Sequence, residues 1–132
     1  AGAFLGAIGK TYAVSTESVA FIAGGETVVH LTGTGKGGRN QELALAAAQL
    51  IAGLPGTAVF SVGSDGPDGP TDAAGGYSDG ETKEKLLEKN IRIYDVLQDN
   101  DAYHALQITD GLIMTGATGT NVNDVAVLLI KR

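Results

Sequence analysis

The stretch Gly33-Thr34-Gly35-Lys36-Gly37-Gly38-Arg39-Asn40-Gln41-Glu42 is the part of the chain around which we expect the fold to be arranged. Glycine makes up most of its first six residues. A single arginine follows, and a helix is predicted to begin directly after it. Glycine lets a ligand approach bare backbone, and the amides at a helix N-terminus attract anions. The stretch therefore predicts a loop that binds an anionic ligand.

The composition of the chain indicates one folded domain. Its 132 residues are enough for a single core, and a hydrophobic content of 43% argues against disorder. The 20 glycines are about 15% of the chain, roughly twice the average usage, and they concentrate in the loops. Because aromatic residues make up only 5% and tryptophan is absent, we expect an aliphatic, alanine-rich core.

Charge and residue types exclude several classes of function. The net charge is -6, and the basic residues form no patch, so we expect no nucleic-acid partner. The absence of cysteine excludes disulfides, thiolate chemistry and zinc–cysteine sites, and it fits a cytoplasmic protein. No apolar run reaches the length that spans a bilayer, so we expect no membrane partner.

Hydrophobic periodicity predicts strands that alternate with helices. Residues 1–12 read as the remnant of a helix that began upstream. The apolar runs Val19–Ala23 and Glu26–Thr32, separated by two glycines, predict an opening β-hairpin. Asn40–Ala52 is predicted to be a helix, because its apolar residues recur on one stripe. Those residues are Leu43, Ala47, Leu50 and Ile51.

The rest of the pattern completes an α/β layered domain over residues 1–132. We predict a mixed sheet of about five strands flanked by helices, opening with the β-hairpin. The remaining predicted strands are Thr57–Val62, Leu112–Thr115 and Val125–Ile130, and the remaining predicted helices are Glu81–Lys89 and Asp99–Leu106.

The glycine-rich stretch matches two phosphate-binding motifs only in part. Gly33, Gly35 and Gly38 have the spacing of the dinucleotide-binding fingerprint, but the acidic residue expected about 20 positions later is missing. The P-loop pattern fails because Gly37 follows Lys36 where serine or threonine is required. A general anion site is the interpretation that remains.

In such a site the amides of Gly37, Gly38 and Arg39 would face a phosphate or a carboxylate. Arg39 could grip the same anion through two parallel N–H bonds. Asn40 and Glu42 would cap and orient the helix. The alternative is a simple turn with surface side chains.

A second loop, residues 64–75, carries three carboxylates spaced three and four residues apart: Asp65, Asp68 and Asp72. They could position a hydroxyl group for proton removal, and Asp65 and Asp68 could hold a magnesium ion. Asp-Gly and Gly-Pro are also ordinary turn sequences, so a structural role stays open.

A third loop, Thr115–Asp124, is rich in threonine, asparagine and glycine. Such side chains suit hydrogen bonding to a polyhydroxylated or phosphorylated ligand, and the alternative is a polar connection between strands. The candidate binding residues here are Thr115, Thr118, Gly119, Thr120 and Asn121.

Together these loops resemble the C-terminal domain of the class II glycerate kinases, the glycerate 2-kinase family, often called the MOFRL domain. The resemblance runs from about Val19 to the end, in family order. Its stretches are Gly24–Glu26, Gly35–Glu42, Gly63–Gly75, Asn100–Asp101 and Thr115–Asp124. The chain departs from the family at Ala117, where proline is usual, and at Ser64, where threonine is common.

The resemblance implies an enzyme that transfers phosphate from ATP to D-glycerate, giving 2-phosphoglycerate, with Mg²⁺. It implies an active site in a cleft shared with a larger N-terminal Rossmann-like domain that these residues do not include. The functional arginine of the family motif corresponds to Arg39. We therefore predict catalytic roles for Arg39, Asp65, Asp68 and Asp72. We predict ligand binding by Gly35, Lys36, Gly37, Gly38, Asn40, Glu42, Thr115, Thr118, Gly119, Thr120 and Asn121.

Two other functions stay open at this point. Some members of the family carry the label hydroxypyruvate reductase, which would place NAD(P)H on Gly33–Gly38. The chain could also be a non-catalytic module that folds, forms a homodimer or binds the N-terminal domain. In every case we expect the chain by itself to be inactive, because half of the cleft is missing.

Overall fold

The computed structural model describes residues 1–132 and contains five strands, five α-helices and a short 3-10 turn at Tyr12–Val14. The helices are α1 (Gly2–Thr11), α2 (Arg39–Ile51), α3 (Thr82–Leu87), α4 (Ile93–Gln98) and α5 (Ala102–Ile108). The strands are β1 (Val19–Gly25), β2 (Thr57–Gly63), β3 (Gly75–Asp79), β4 (Leu112–Ile113) and β5 (Asp124–Ile130).

The five strands form one sheet in the order β1-β5-β2-β3-β4. Every neighbouring pair is antiparallel. The last strand of the chain, β5, lies between β1 and β2, where Val59 pairs with Leu128. Because β5 pairs with both β1 and β2, the C-terminal ends of β1 and β2 lie beside the start of β5, at the same end of the sheet.

Helix α2 lies between two hydrophobic clusters and is the central element of the core. The first cluster joins α1, α2 and the sheet, and it contains Leu5, Leu43, Ala47, Ile51, Val59, Ala126, Leu128 and Ile130. The second joins α2 to the shorter helices, and it contains Leu45, Ala48, Leu86, Ile93, Ala102, Ala105 and Leu106. Since α2 contributes to both, its position determines where the loop before it lies.

The predicted α/β class, with five strands flanked by helices, is confirmed. Helix α2 begins and ends within one residue of the prediction. Its Leu43, Ala47 and Ile51 are buried, as the periodicity indicated. Helix α4 was not predicted. No helix is long and apolar enough to cross a membrane.

The predicted opening hairpin is wrong. Strand β1 pairs instead with β5, where Gly24 lies opposite Val125. The stretch 26–32 is not a strand. Its backbone turns toward the start of α5, where the carbonyl of His30 and the amide of Thr32 bond the side chain of Asn100. Hydrogen bonds to the distant Asn100 therefore take the place of the hairpin pairing that Gly24 and Gly25 predicted.

The predicted mixed sheet is also wrong, because every pair of strands is antiparallel. Strand β3, which pairs with β2 and β4, was not predicted. Strand β3 begins with Gly75 and Gly76, which have low strand propensity. Both glycines are required by close packing. A Cβ on Gly75 would lie 1.8 Å from the carbonyl oxygen of Ser61, and one on Gly76 would lie 2.5 Å from Leu106 Cδ1.

The N-terminus of α2 is capped by a side chain from a distant loop. Asp68 Oδ2 accepts hydrogen bonds from the amides of Asn40 and Gln41, each at 3.0 Å, and its Oδ1 accepts one from Asn40 Nδ2. A Cβ on Gly38 would lie 2.3 Å from Asp68 Cγ, so glycine is needed for this approach. The cap satisfies two amides that the helix itself leaves without partners.

We expect Gly75→Ala to destabilise the chain by about 2 kcal/mol or more, because the new methyl group would collide with the backbone of β2. Gly24→Ala is the matched control, since a Cβ at that strand glycine meets nothing within 4 Å. Urea denaturation of both variants checks this expectation. Equal midpoints would contradict the packing argument.

We expect Asp68→Ala to cost about 2 kcal/mol, because it removes a helix cap and leaves buried donors without an acceptor. Asp95→Ala serves as the control, because Asp95 lies in an exposed i,i+3 ion pair with Arg92 and should change stability by under about 0.5 kcal/mol. Denaturation midpoints measure both. A variant at Asp68 as stable as the control would show that the cap is unimportant.

Candidate functional site

Three loops lie at the edge of the sheet where β1 and β2 end and β5 begins. We name them the glycine loop (residues 33–38), the aspartate loop (residues 64–74) and the threonine loop (residues 114–123). Each connects elements of the central sheet or α2, and each contains residues that the sequence predicts to be catalytic or to bind a ligand. Their contacts decide whether they form one site.

Hydrogen bonds join the three loops through the aspartate loop and through the residues that directly follow the other two loops. Asp68 of the aspartate loop caps the helix that follows the glycine loop. Ser64 Oγ accepts a hydrogen bond from the amide of Val122, at 2.7 Å, which joins the aspartate and threonine loops. Arg39 reaches Asp124, which follows the threonine loop directly. The three loops that contain the predicted site residues therefore lie close together.

Arg39 is held in a fork-to-fork ion pair with Asp124. Its Nε lies 2.6 Å from Asp124 Oδ2 and its Nη2 lies 2.9 Å from Oδ1. Glu26 Oε1 is 3.7 Å from the same Nη2. The hydrogen bond to Asp124 is the main cause that raises the pKa of Arg39. One edge of the guanidinium is therefore occupied, and the N–H groups of Nη1 stay available for a ligand.

Most of the glycine loop is bound to the turn before α5. The amides from Gly33 to Lys36 donate to Asp99, Asn100 and Asp101, over 2.7 to 3.1 Å. A Cβ on Gly33 would lie 2.3 Å from the Cα of Asp99, so the loop needs glycine for packing there. These four amides thus bind carboxylate, amide and carbonyl oxygens of the chain itself.

The end of the glycine loop differs. The amides of Gly37, Gly38 and Arg39 donate to no acceptor within the chain. They stand directly before the capped amides of α2, at the positive end of the helix dipole. The predicted anion-binding backbone is therefore reduced to these three consecutive groups.

Asn100 ties the glycine loop to Glu42. Its Oδ1 accepts from the amides of Thr32 and Gly33, and its Nδ2 donates to the carbonyl of His30 and, at 2.7 Å, to Glu42 Oε1. Asn100 is buried and has a positive φ of 56°, which asparagine tolerates better than most residues. Glu42 therefore orients toward Asn100 instead of capping α2.

A cavity of about 470 Å³ lies in front of these groups. Its wall combines the end of the glycine loop, two acidic side chains, one arginine and the apolar segment after β1. The lining residues are Glu26, Thr27, Val28, Val29, Leu31, Gly33, Gly35, Gly37, Gly38, Arg39, Glu42, Gly69, Pro70 and Asn100. Asn40 and Asp124 line a neighbouring cavity that shares Glu26 and Thr27 with it.

Several predicted site residues lie away from this wall. The ammonium of Lys36 sits 4.1 Å from the ring centre of Tyr103, whose hydroxyl donates to Asp72 Oδ1 at 2.7 Å. That hydrogen bond is the first cause of the raised pKa of Tyr103. The predicted residues that do not line the larger cavity are Lys36, Asn40, Asp65, Asp68, Asp72, Thr115, Thr118, Gly119, Thr120 and Asn121.

The carboxylates of the aspartate loop do not lie together at one site. Asp68 is buried on α2, and Asp72 is bound to Tyr103. Burial raises the pKa of Asp68, while the amides of Gln41 and Asn40 and the charge of Arg39 lower it. No group of three or more His, Cys, Asp or Glu side chains could hold a metal ion. Magnesium binding by Asp65 and Asp68 stays a prediction, without a ligand set in this chain.

The dinucleotide-binding context is absent. That fingerprint needs a strand directly before the glycine loop and a parallel strand after the helix. Residues 26–32 form no strand, and β2 pairs only with antiparallel neighbours. The spacing of Gly33, Gly35 and Gly38 therefore does not indicate a dinucleotide site. These glycines are needed because the loop packs closely against Asp99, Asp101 and Asp68.

Sequence reasoning missed the partners of Arg39 and Glu42, two of the charged residues in the wall. Asp124 lies 85 positions from Arg39, and Asn100 lies 58 positions from Glu42. Both belong to stretches that resemble the family, which is the one signal that could have identified them. Spacing along the chain could not, because neither pair is local.

Comparisons with known proteins show the family of this chain. Residues 19–124 match the MOFRL family. A D-glycerate 2-kinase of Thermotoga maritima is 54% identical over 111 residues, which are 84% of this chain and 27% of that protein. A glycerate 2-kinase of Pyrococcus horikoshii is 44% identical over 135 residues, covering 98% of this chain and 30% of that protein. The chain thus spans less than a third of the length of these curated relatives.

Solved structures show the same fold. The crystal structure of a glycerate kinase from Thermotoga maritima matches with a TM-score of 0.95 at 48% identity, over 98% of this chain and 32% of that one. A Pyrococcus horikoshii protein matches with a TM-score of 0.93 at 43% identity, over 98% and 31%. Because the family match covers most of the residues and the fold agrees almost throughout, the chain belongs to the MOFRL family.

Proposed function

We propose that this chain is the C-terminal domain of a glycerate 2-kinase, which uses ATP to phosphorylate D-glycerate to 2-phosphoglycerate. The single observation that carries the proposal is the arginine in the cavity wall. Arg39 is fixed by Asp124 beside three amides without partners, an arrangement suited to an anion. The names of the relatives support a glycerate substrate, and they give no support to a reductase.

In this proposal the domain acts mainly by positioning and charge. Phosphoryl transfer needs little covalent help from the protein, because charge develops on the oxygens of the transferred group. The Nη1 group of Arg39 and the amides of Gly37 and Gly38 would bind the substrate carboxylate or the transferring phosphate. Since Asp124 holds the guanidinium, little entropy is lost when the anion arrives.

The activity requires a second wall, which we propose is an N-terminal Rossmann-like domain. The relatives named as glycerate kinases are more than three times as long as the matched part. The cavity is open to solvent, and its cationic charge comes from one residue. We therefore expect the chain by itself to bind ATP or glycerate weakly and to turn over neither. Calorimetry checks this, and micromolar binding by the chain would contradict it.

ATP is the proposed co-substrate, with Mg²⁺ supplied alongside its phosphates. The chain offers no dedicated metal cage, so we assign no step to the ion through these residues. The proposal places the enzyme in the cytoplasm. Assembly into a homodimer stays a prediction, which sedimentation of the complete enzyme would check.

We expect Arg39→Ala in the complete enzyme to lower kcat/KM for glycerate at least about 100-fold, or about 2.7 kcal/mol, because it removes the only cation of the wall. Arg92→Ala is the control, since Arg92 is exposed and lies outside the cavity. A coupled assay of ADP release measures both. Turnover within about threefold of wild type would exclude a catalytic role for Arg39.

We expect Asp124→Asn to lower kcat/KM about tenfold, because the amide keeps the shape but loses the charge that fixes Arg39. Asp124→Glu should recover part of the loss if its longer side chain still pairs with the guanidinium. The same coupled assay measures both variants. An unchanged rate for Asp124→Asn would show that the ion pair has no effect on turnover.

A further inference from the structure

The cavity wall contains two carboxylates, and neither belongs to the aspartate loop. They are Glu26 and Glu42. Glu26 is well exposed, at 60% of its side chain, and approaches only Arg39. Glu42 lies on the first turn of α2 and is partly buried. Of the two acidic residues in the wall, Glu42 is therefore the more buried, and Asn100 holds it by a hydrogen bond.

Glu42 is fixed through one oxygen. Asn100 Nδ2 donates to Oε1 at 2.7 Å, and no group of the chain donates to Oε2. Burial is the main cause that raises the pKa of Glu42, and the charge of Asp68 raises it further, against the hydrogen bond from Asn100. Arg39 and Glu26 are the other charged groups of the wall.

A carboxylate is an unusual wall group for a site that binds only anions, since it would repel them. It suits a ligand that presents a hydroxyl group next to an anionic group. The hydroxyl donates to the carboxylate, while the anionic group meets the amides and Arg39. A small 2-hydroxy acid has both features within two carbon atoms.

We propose that Glu42 is the general base that accepts the proton of the substrate hydroxyl, a role that rests on the proposed kinase function. The hydroxyl oxygen of glycerate forms a bond to the γ-phosphorus of ATP. The bond from that phosphorus to the β–γ bridging oxygen breaks, and ADP leaves with its electron pair. The hydroxyl proton moves to Oε2 of Glu42 and is then released to solvent. Asn100 is the positioning residue that keeps Oε2 directed at the substrate.

The test is Glu42→Gln in the complete enzyme. Glutamine keeps the oxygen that accepts from Asn100, so the local structure is retained while the base is lost. We expect kcat to fall roughly 100-fold or more, with KM for glycerate within about threefold. The acid limb of the wild-type pH profile of kcat/KM should disappear in the variant. Glu88→Gln, an exposed change at the end of α3, is the matched control with wild-type kinetics.

A measurement of stability distinguishes a catalytic role of Glu42 from a structural one. A carboxylate with a raised pKa stabilises the fold below its ordinary value of 4.5 and loses that contribution as the pH rises through the folded value. Glutamine does not titrate. We therefore expect the urea midpoint of the Glu42→Gln chain to rise relative to wild type between pH 4.5 and pH 7, while the activity of the enzyme falls.

Two results would overturn the inference. A kcat for Glu42→Gln within threefold of wild type would remove the base role, and so would a loss of activity accompanied by a lower urea midpoint at pH 7. A failure of the proposed kinase function itself would be recognised by a different result. In that case the wild-type enzyme would show no glycerate-dependent release of ADP.

Discussion

The hydrogen bonds from the α2 amides to Asp68 are the contact on which the rest of the site depends. They fix the start of α2 relative to the aspartate loop, 28 residues away at Asn40. Since α2 also joins both halves of the core, this one carboxylate sets where Arg39 and Glu42 project. Gly38 permits the contact because no Cβ stands between the loop and the carboxylate. A buried acidic residue that could be taken for a metal ligand thus has an architectural role.

The electrostatics of the wall are balanced and not simply cationic. Arg39 is paired with Asp124 and approached by Glu26, while Glu42 keeps a partly desolvated carboxylate nearby. Such a wall favours a ligand with both acidic and hydroxyl groups over a plain polyanion. Under the proposed kinase function, the further positive charge that a triphosphate needs would come from a second domain.

Local signals in the sequence were enough to predict α2, the fold class and the position of Arg39. They were not enough for segments whose hydrogen-bond partners lie far away along the chain. Strand β3 begins with two glycines and becomes a strand only because β2 and β4 pair with it. Apolar residues alternate along the Glu26–Thr32 stretch as in a strand, but its backbone forms hydrogen bonds with the side chain of Asn100 and not with another strand. The motif led us to predict roles for Arg39 and Glu42, which stay predictions, whereas their hydrogen bonds to Asp124 and Asn100 became visible only in the folded chain. Propensity describes what a segment prefers alone, and these segments are determined by their neighbours.

The position of β5 has a consequence for how the chain folds. Strand β5 follows the other four strands in the chain but lies inside the sheet, and β1 has no other partner. During synthesis the sheet can therefore not close until β5 has been made, and until then β1 and β2 each present an unpaired edge. Such non-local pairing is slow to form. The ion pair of Arg39 with Asp124, the first residue of β5, can likewise form only after β5 has been made.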